Sequence, residues 1–134
     1  MQLNYIANTS VPSSSGKTLP VIDPSDGQVF DEIQRSNADD IDAAARAARQ
    51  CLDNVWSKFS AAERGRLLMR LSNKITECAE ELAALEQRDC GKPTKQAKAD
   101  ALALARYFEF YAGAGDKFHG ETIPYLDGYS VLTW

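Results

Sequence analysis

Leu67, Leu68, Leu71, Ile75, Cys78, Leu82 and Leu85 recur at intervals of three and four, the spacing of one face of an α-helix. Arg64, Arg66, Arg70, Lys74, Glu77, Glu80, Glu81 and Gln87 fall on the opposite face, which belongs in water. The start and stop of this helix are both encoded. Ser60 with Glu63 forms a capping box, in which the serine oxygen accepts the third helical amide and the glutamate reaches back to the serine amide. Gly91 suits the left-handed position that ends a helix, and Pro93 forbids continuation. The pattern predicts a single helix over residues 60–89, roughly 40 Å or longer.

Two more helices flank it. Asn37 with Asp39 and Asp40 gives a capped, acidic first turn, favoured by the positive end of the helix dipole. The helix it opens, about 38–54, has an alanine-rich inner face of Ile41, Ala44, Ala45, Ala48 and Leu52. Trp56 and Phe59 fill the connection to the long helix. After Pro93, a third helix over about 94–113 lines Ala97, Ala101, Leu104, Phe108 and Tyr111 along one stripe, and its aromatic cluster at residues 107–111 reads as core. β-hairpins are expected at 19–34, around the turn chemistry of residues 23–27, and at 121–134, around Leu126, Asp127 and Gly128. The final strand, 129–134, breaks off without a turn or polar tail. The fold class is therefore α/β, with three helices and two hairpins. Residues 1–18, polar and with the stretch VPSSSG at 11–16, form a flexible arm or an edge strand.

Composition narrows the function classes. The 134 residues suffice for one modest core. A net charge of −4 argues against a nucleic-acid partner, and the basic residues of the long helix read as a solvated edge. No apolar run is long enough for a membrane helix, and the first residues lack the features of a secretory signal. Three cysteines without a paired framework suit a reducing, cytoplasmic setting.

Candidate chemistry is sparse. His119 is the single histidine, so a multi-histidine metal site is excluded. Cys51 and Cys78 read as small hydrophobes. Cys90 sits at the negative end of a helix, which raises a thiol pKa instead of activating the sulfur. Neither glycine-rich phosphate loop occurs. Asp89, at the junction of the long helix with the Gly-Lys-Pro turn, is the carboxylate placed to cap, to pair with Lys92 or to ligate a cation. From the residues alone, no catalytic or cofactor-binding residue is assigned.

The order of motifs says more than any one of them. VIDPSDG at 21–27, the acidic-capped alanine helix, Trp56, AAER at 61–64, LEQRDCGKP at 85–93, the 107–113 stretch and HGETIP at 119–124 follow one another. This series resembles the N-terminal portion of the NAD(P)-dependent aldehyde dehydrogenase superfamily, with wording close to betaine-aldehyde dehydrogenases around residues 89–93. The glycine-aromatic pair usual in that family's first hairpin is missing here.

The resemblance implies a segment of an enzyme that oxidises an aldehyde to a carboxylic acid with NAD or NADP. Such an enzyme uses thiolate attack, hydride transfer and thioester hydrolysis. The family's nucleophilic cysteine, general base and coenzyme-binding motifs fall outside these residues, so the chain alone is expected to be inactive. Residues 19–120 would pack on a coenzyme-binding domain, and 121–134 would belong to an oligomerisation arm. The implied partners are the remainder of the dehydrogenase or other subunits of a homo-oligomer. A structural monovalent cation, K+ or Na+, would be held by backbone carbonyls at Val21 or Ile22 and by the Asp89 carboxylate, a chemically sensible set for a hard cation. The alternative is a non-catalytic interaction or regulatory module that associates with full-length dehydrogenase subunits.

Overall fold

The computed structural model describes residues 1–133. Three two-stranded antiparallel sheets and four α-helices follow in chain order. Strands β1 (Asn4–Ile6) and β2 (Thr9–Val11) pair through a turn in which Ala7 and Asn8 both take positive φ, 52° and 63°. That geometry matches the twist of a tight hairpin. Asparagine tolerates it, whereas alanine places its Cβ against the backbone.

Strands β3 (Thr18–Ile22) and β4 (Val29–Gln34) form the second hairpin, with a register shift at Val21 and Ile22. Its turn is fastened by Asp23, whose Oδ1 accepts from the Ser25 amide at 2.9 Å and the Ser25 hydroxyl at 2.6 Å. Gln2 lies alongside β4 in a parallel bridge with Ile33.

Helix α1 (Ala38–Asn54) begins as its cap chemistry predicts, with Asn37 and Asp40 exchanging both capping-box hydrogen bonds. Asp40 also accepts from the Ser13 hydroxyl at 2.6 Å and the Ser14 amide at 2.9 Å, which ties residues 13–14 to the start of α1. These bonds, the Ser13 hydroxyl first, hold the Asp40 carboxyl well below the ordinary aspartate value. A 3₁₀ turn, Trp56–Lys58, leads to the next helix, with the Trp56 and Phe59 rings 5.8 Å apart.

The single long helix is corrected here to two, α2 (Ala61–Glu77) and α3 (Ala79–Cys90). The break is at Cys78, with φ −96° and ψ 11°. Ile75 and Thr76, both β-branched, precede it, and the Thr76 hydroxyl donates back to the Ser72 carbonyl at 3.1 Å, a bond that bends helices. The bend has a packing reason as well. Helix α4 (Thr94–Ala114) has 21 residues, about 32 Å, and a straight partner covering 60–89 would overhang it. Bent, α2 and α3 both lie against α4.

The packed face is also rotated from the leucine stripe. The residues buried are Gly65, Ser72 and Ile75 of α2, Ala79 and Ala83 of α3, and Ala97, Ala101 and Ala105 of α4. Leu67, Leu71 and Leu85 remain exposed, as does Leu104 of the predicted α4 stripe. The aromatic cluster is likewise corrected: Phe108 is half-buried, while Tyr107, Phe110 and Tyr111 face outward.

Small residues explain this choice. A Cβ on Gly65 would lie 2.5 Å from the Ala112 carbonyl oxygen, so the crossing of α2 over α4 requires glycine there. The Ser72 hydroxyl donates to the Ala105 carbonyl at 2.7 Å inside the same crossing. Strands β5 (Thr122–Ile123) and β6 (Val131–Leu132) make the last hairpin. The expected strand through 134 ends on Trp134, which lies outside the described residues.

Candidate functional site

The chemistry gathers where the β3–β4 hairpin meets α3. Gly91, at φ 69°, ends α3 as the sequence predicts, and the hairpin's Pro24 ring comes to 3.0 Å from where a Cβ would sit. Arg88, one turn before, makes the joint. Its guanidinium stacks 4.4 Å over the Phe30 ring and its Nε lies 3.8 Å from the Asp23 carboxylate. Asp23 is held below the ordinary aspartate value chiefly by its two Ser25 bonds, with Arg88 adding to them.

Beside this joint runs a groove of about 650 Å³ whose walls include Gln2, Val21, Asp31, Glu81, Leu85 and Asp89. Of the residues expected around a cation, Val21 and Asp89 therefore share one groove. Ile22, one step along β3 at the register shift, is not part of its wall. Glu81, Leu85 and Asp89 reach the groove together because they stand four apart on α3. Glu81, Glu86 and Asp31, which the sequence reading did not connect with Asp89, also line the groove, and the four-residue spacing of 81, 85 and 89 was available as a signal.

Four carboxylates line the groove, Asp31, Glu81, Glu86 and Asp89, and two of them have partners. Asp31 accepts from the Met1 amine at 2.6 Å and from the Gln2 amide at 3.0 Å, which keeps its carboxyl far below the usual range. Lys92 does not pair with Asp89, one of the three roles left open for that carboxylate. Its ammonium bonds Asp100 at 2.8 Å and also Glu86, and these two raise its pKa. The bridge locks the α3–α4 corner. The Asp89 carboxylate has no hydrogen bond or ion pair among the described residues. A backbone carbonyl with a carboxylate is a donor set suited to a hard monovalent cation, and Val21 and Asp89 are the members of the expected set that line the groove. No cluster of three His, Cys, Asp or Glu side chains fit for a metal ion occurs among the described residues.

Among the described residues, nothing in this groove offers a nucleophile beside a base. Cys51, Cys78 and Cys90 are free thiols, and Cys90 donates back to the Glu86 carbonyl at 3.0 Å, as a helical cysteine does. His119 lies exposed beyond α4. No helix among the described residues is long and apolar enough to cross a membrane.

Comparison with known proteins agrees with the order of the motifs. The sequence pattern of the aldehyde dehydrogenase family matches residues 11–133. The Arabidopsis thaliana mitochondrial protein named aldehyde dehydrogenase family 2 member B4 is 45% identical over 125 residues, 92% of this chain and 23% of its own length. A crystal structure of a Burkholderia cenocepacia protein assigned to the aldehyde dehydrogenases superposes with a TM-score of 0.91 at 58% identity, covering 97% of this chain and 27% of that one. A Staphylococcus aureus betaine aldehyde dehydrogenase, solved in complex with NAD+, superposes with a TM-score of 0.86 at 32% identity, covering 91% of this chain and 25% of that one. The chain thus spans about a quarter of the relatives it matches, and the part it matches is N-terminal.

Proposed function

The chain belongs to the aldehyde dehydrogenase family, and we propose that it forms the N-terminal segment of an NAD(P)-dependent enzyme that oxidises an aldehyde to a carboxylic acid. The observation that carries this is the match of nearly the whole chain, at 58% identity and a TM-score of 0.91, to about a quarter of a longer fold. In that reading the chain contributes no reacting atom. Cys51 and Cys90 lie in α1 and α3 and Cys78 at the break between α2 and α3, and in this reading the nucleophile and the general base belong to the other three quarters. NAD or NADP, bound by that remainder, would accept the hydride.

What this chain supplies is a frame. The Arg88 joint fixes the β3–β4 hairpin on α3, and the Lys92 bridge fixes α3 and α4 against one another. Residues 19–120 would lie on the coenzyme-binding part and 121–134 would enter an arm between subunits of a homo-oligomer. Exposed Leu104, Tyr107, Leu126 and Tyr129 support both placements, because such side chains gain by being covered. A backbone carbonyl at Val21, or at Ile22 one step beyond the groove wall, together with the Asp89 carboxylate would hold K+ or Na+, fastening β3 to α3 without chemistry of its own. Three free thiols support a reducing, cytoplasmic compartment.

The test joins this chain to the C-terminal three quarters of the Arabidopsis relative and follows aldehyde-dependent reduction of NAD and NADP. The expected result is turnover by the joined polypeptide and none by the chain alone. A folded, joined polypeptide without turnover would refute the reading.

A further inference from the structure

Two Asp-Gly steps occur in the chain, Asp26–Gly27 and Asp127–Gly128. Each is exposed and lies between the strands of a two-stranded sheet. Their glycines share the left-handed region, at φ 72° and 84°, and the space a Cβ would take is open in both. At such a step the amide nitrogen of residue i+1 can attack the aspartyl carboxyl carbon, because glycine has no side chain to obstruct the approach. The two steps are thus matched in local chemistry. They differ in how they are held.

The first step is tied at both reacting groups. The Gly27 amide donates to the Asp23 carbonyl at 2.8 Å, and the Asp26 Oδ1 accepts from the Gln28 amide at 2.8 Å. Asp23 is itself fastened by Ser25. Both bonds must break before the Gly27 nitrogen can reach the Asp26 carboxyl carbon. The second step has no such bonds. Among the described residues the Gly128 amide donates to nothing and the Asp127 carboxylate accepts from nothing, and the turn is crossed by the Tyr129 amide donating to the Leu126 carbonyl at 3.1 Å. The sheet behind it has only two paired positions, Thr122 with Leu132 and Ile123 with Val131.

We propose that Asp127 is a site of spontaneous isoaspartate formation, and that the conversion takes the β5–β6 hairpin out of register. The Gly128 nitrogen bonds to the Asp127 side-chain carboxyl carbon and gives up its proton, while the carboxyl hydroxyl takes a proton and leaves as water. A five-membered succinimide results. Water then opens the ring, giving aspartate by attack at the side-chain carbonyl and isoaspartate by attack at the main-chain carbonyl. One water leaves and one returns, so solvent is the sole co-reactant. In isoaspartate the main chain runs through the side-chain methylene and is longer by one carbon. The Tyr129–Leu126 bond spans that peptide, as does the edge-to-face contact of the Tyr125 and Tyr129 rings, 6.1 Å apart. Both are lost when one limb of the turn lengthens. The inference stands apart from the proposed function, since it requires only this turn.

The experiment ages the whole chain at neutral pH in water carrying heavy oxygen. Ring opening inserts one solvent oxygen, so label in a peptide counts passages through the succinimide, and chromatography separates isoaspartyl from aspartyl peptides of one mass. The folded chain is expected to gain label at Asp127 at least tenfold faster than at Asp26, and in urea the two rates converge. Asp127→Glu, which would need a larger ring, gains none at that position. The aged chain becomes a methyl acceptor for a protein isoaspartyl carboxyl methyltransferase, and its Tyr129 and Thr133 amides lose protection from hydrogen exchange. Equal rates at 26 and 127 in the folded chain overturn the inference, because the bonds around Asp26 then protect nothing. A tenfold difference that persists in urea overturns it as well, since neighbouring sequence is then the cause. Isoaspartate at 127 with unaltered exchange at Tyr129 and Thr133 removes the change of register.

Discussion

Helices α1 and α4 are both rich in alanine, yet the structure treats them oppositely. In α4, Ala97, Ala101 and Ala105 are buried, and Ala97 has no exposed surface at all. In α1, Ala44, Ala47 and Ala48 line an open groove and no residue is buried. The difference is in what stands opposite. α2 brings Gly65 and Ser72 to α4, allowing backbones to approach until Gly65 meets the Ala112 carbonyl. α1 meets the first hairpin and the 3₁₀ turn that follows it, and neither closes over its apolar side. Alanine permits close packing; a neighbour has to provide it.

Substitutions can break this contrast. The largest effect is expected from Gly65→Ala, because the new methyl meets backbone and cannot be relieved by a rotamer. A loss of about 1–3 kcal/mol in urea unfolding would follow, and unchanged stability would show that the crossing is looser than described. Ser72→Ala removes the buried bond to the Ala105 carbonyl and should cost about 1 kcal/mol, with the loss seen as a lower urea midpoint at an unchanged slope. In the open region the sign can reverse. Ala7→Gly relieves the left-handed φ of the first turn and should raise stability by about 0.5–1 kcal/mol; a loss would mean that the turn is not in this conformation.

Acid should act on the open region first. The Asp40 carboxyl is depressed in the folded chain by the Ser13 hydroxyl and the Ser14 and Asn37 amides. Its contribution is thus present above the ordinary aspartate value of 3.8 and is lost as the pH falls below that value toward the folded one. Asp40→Asn should show a smaller drop in stability between pH 7 and pH 3 than the unaltered chain, and hydrogen exchange at residues 38–41 should be fast at both. Equal acid sensitivity in the two would disprove the link. The smallest effect is expected from Ile41→Ser on the bare side of α1, within about 0.5 kcal/mol in the isolated chain. A larger loss would mean that α1 is already covered.

Local chemistry was legible from the residues. The capping pairs Asn37 with Asp40 and Ser60 with Glu63, the Gly91 stop, and the turns at 23–27 and 126–128 occur where the sequence places them. Each is satisfied by groups within a few residues, so neighbours in sequence suffice to determine it. The ordered motifs likewise carried the family. The α2–α3 break and the inward turn of Gly65 and Ser72 beside Ile75, in place of the leucines, were decided by tertiary structure. Periodicity marks a face as apolar, but the face that is buried depends on the shape of a helix more than twenty residues away. In this chain the small residues won that competition because they let α2 and α3 lie close on α4, leaving the leucines free to be covered by something else.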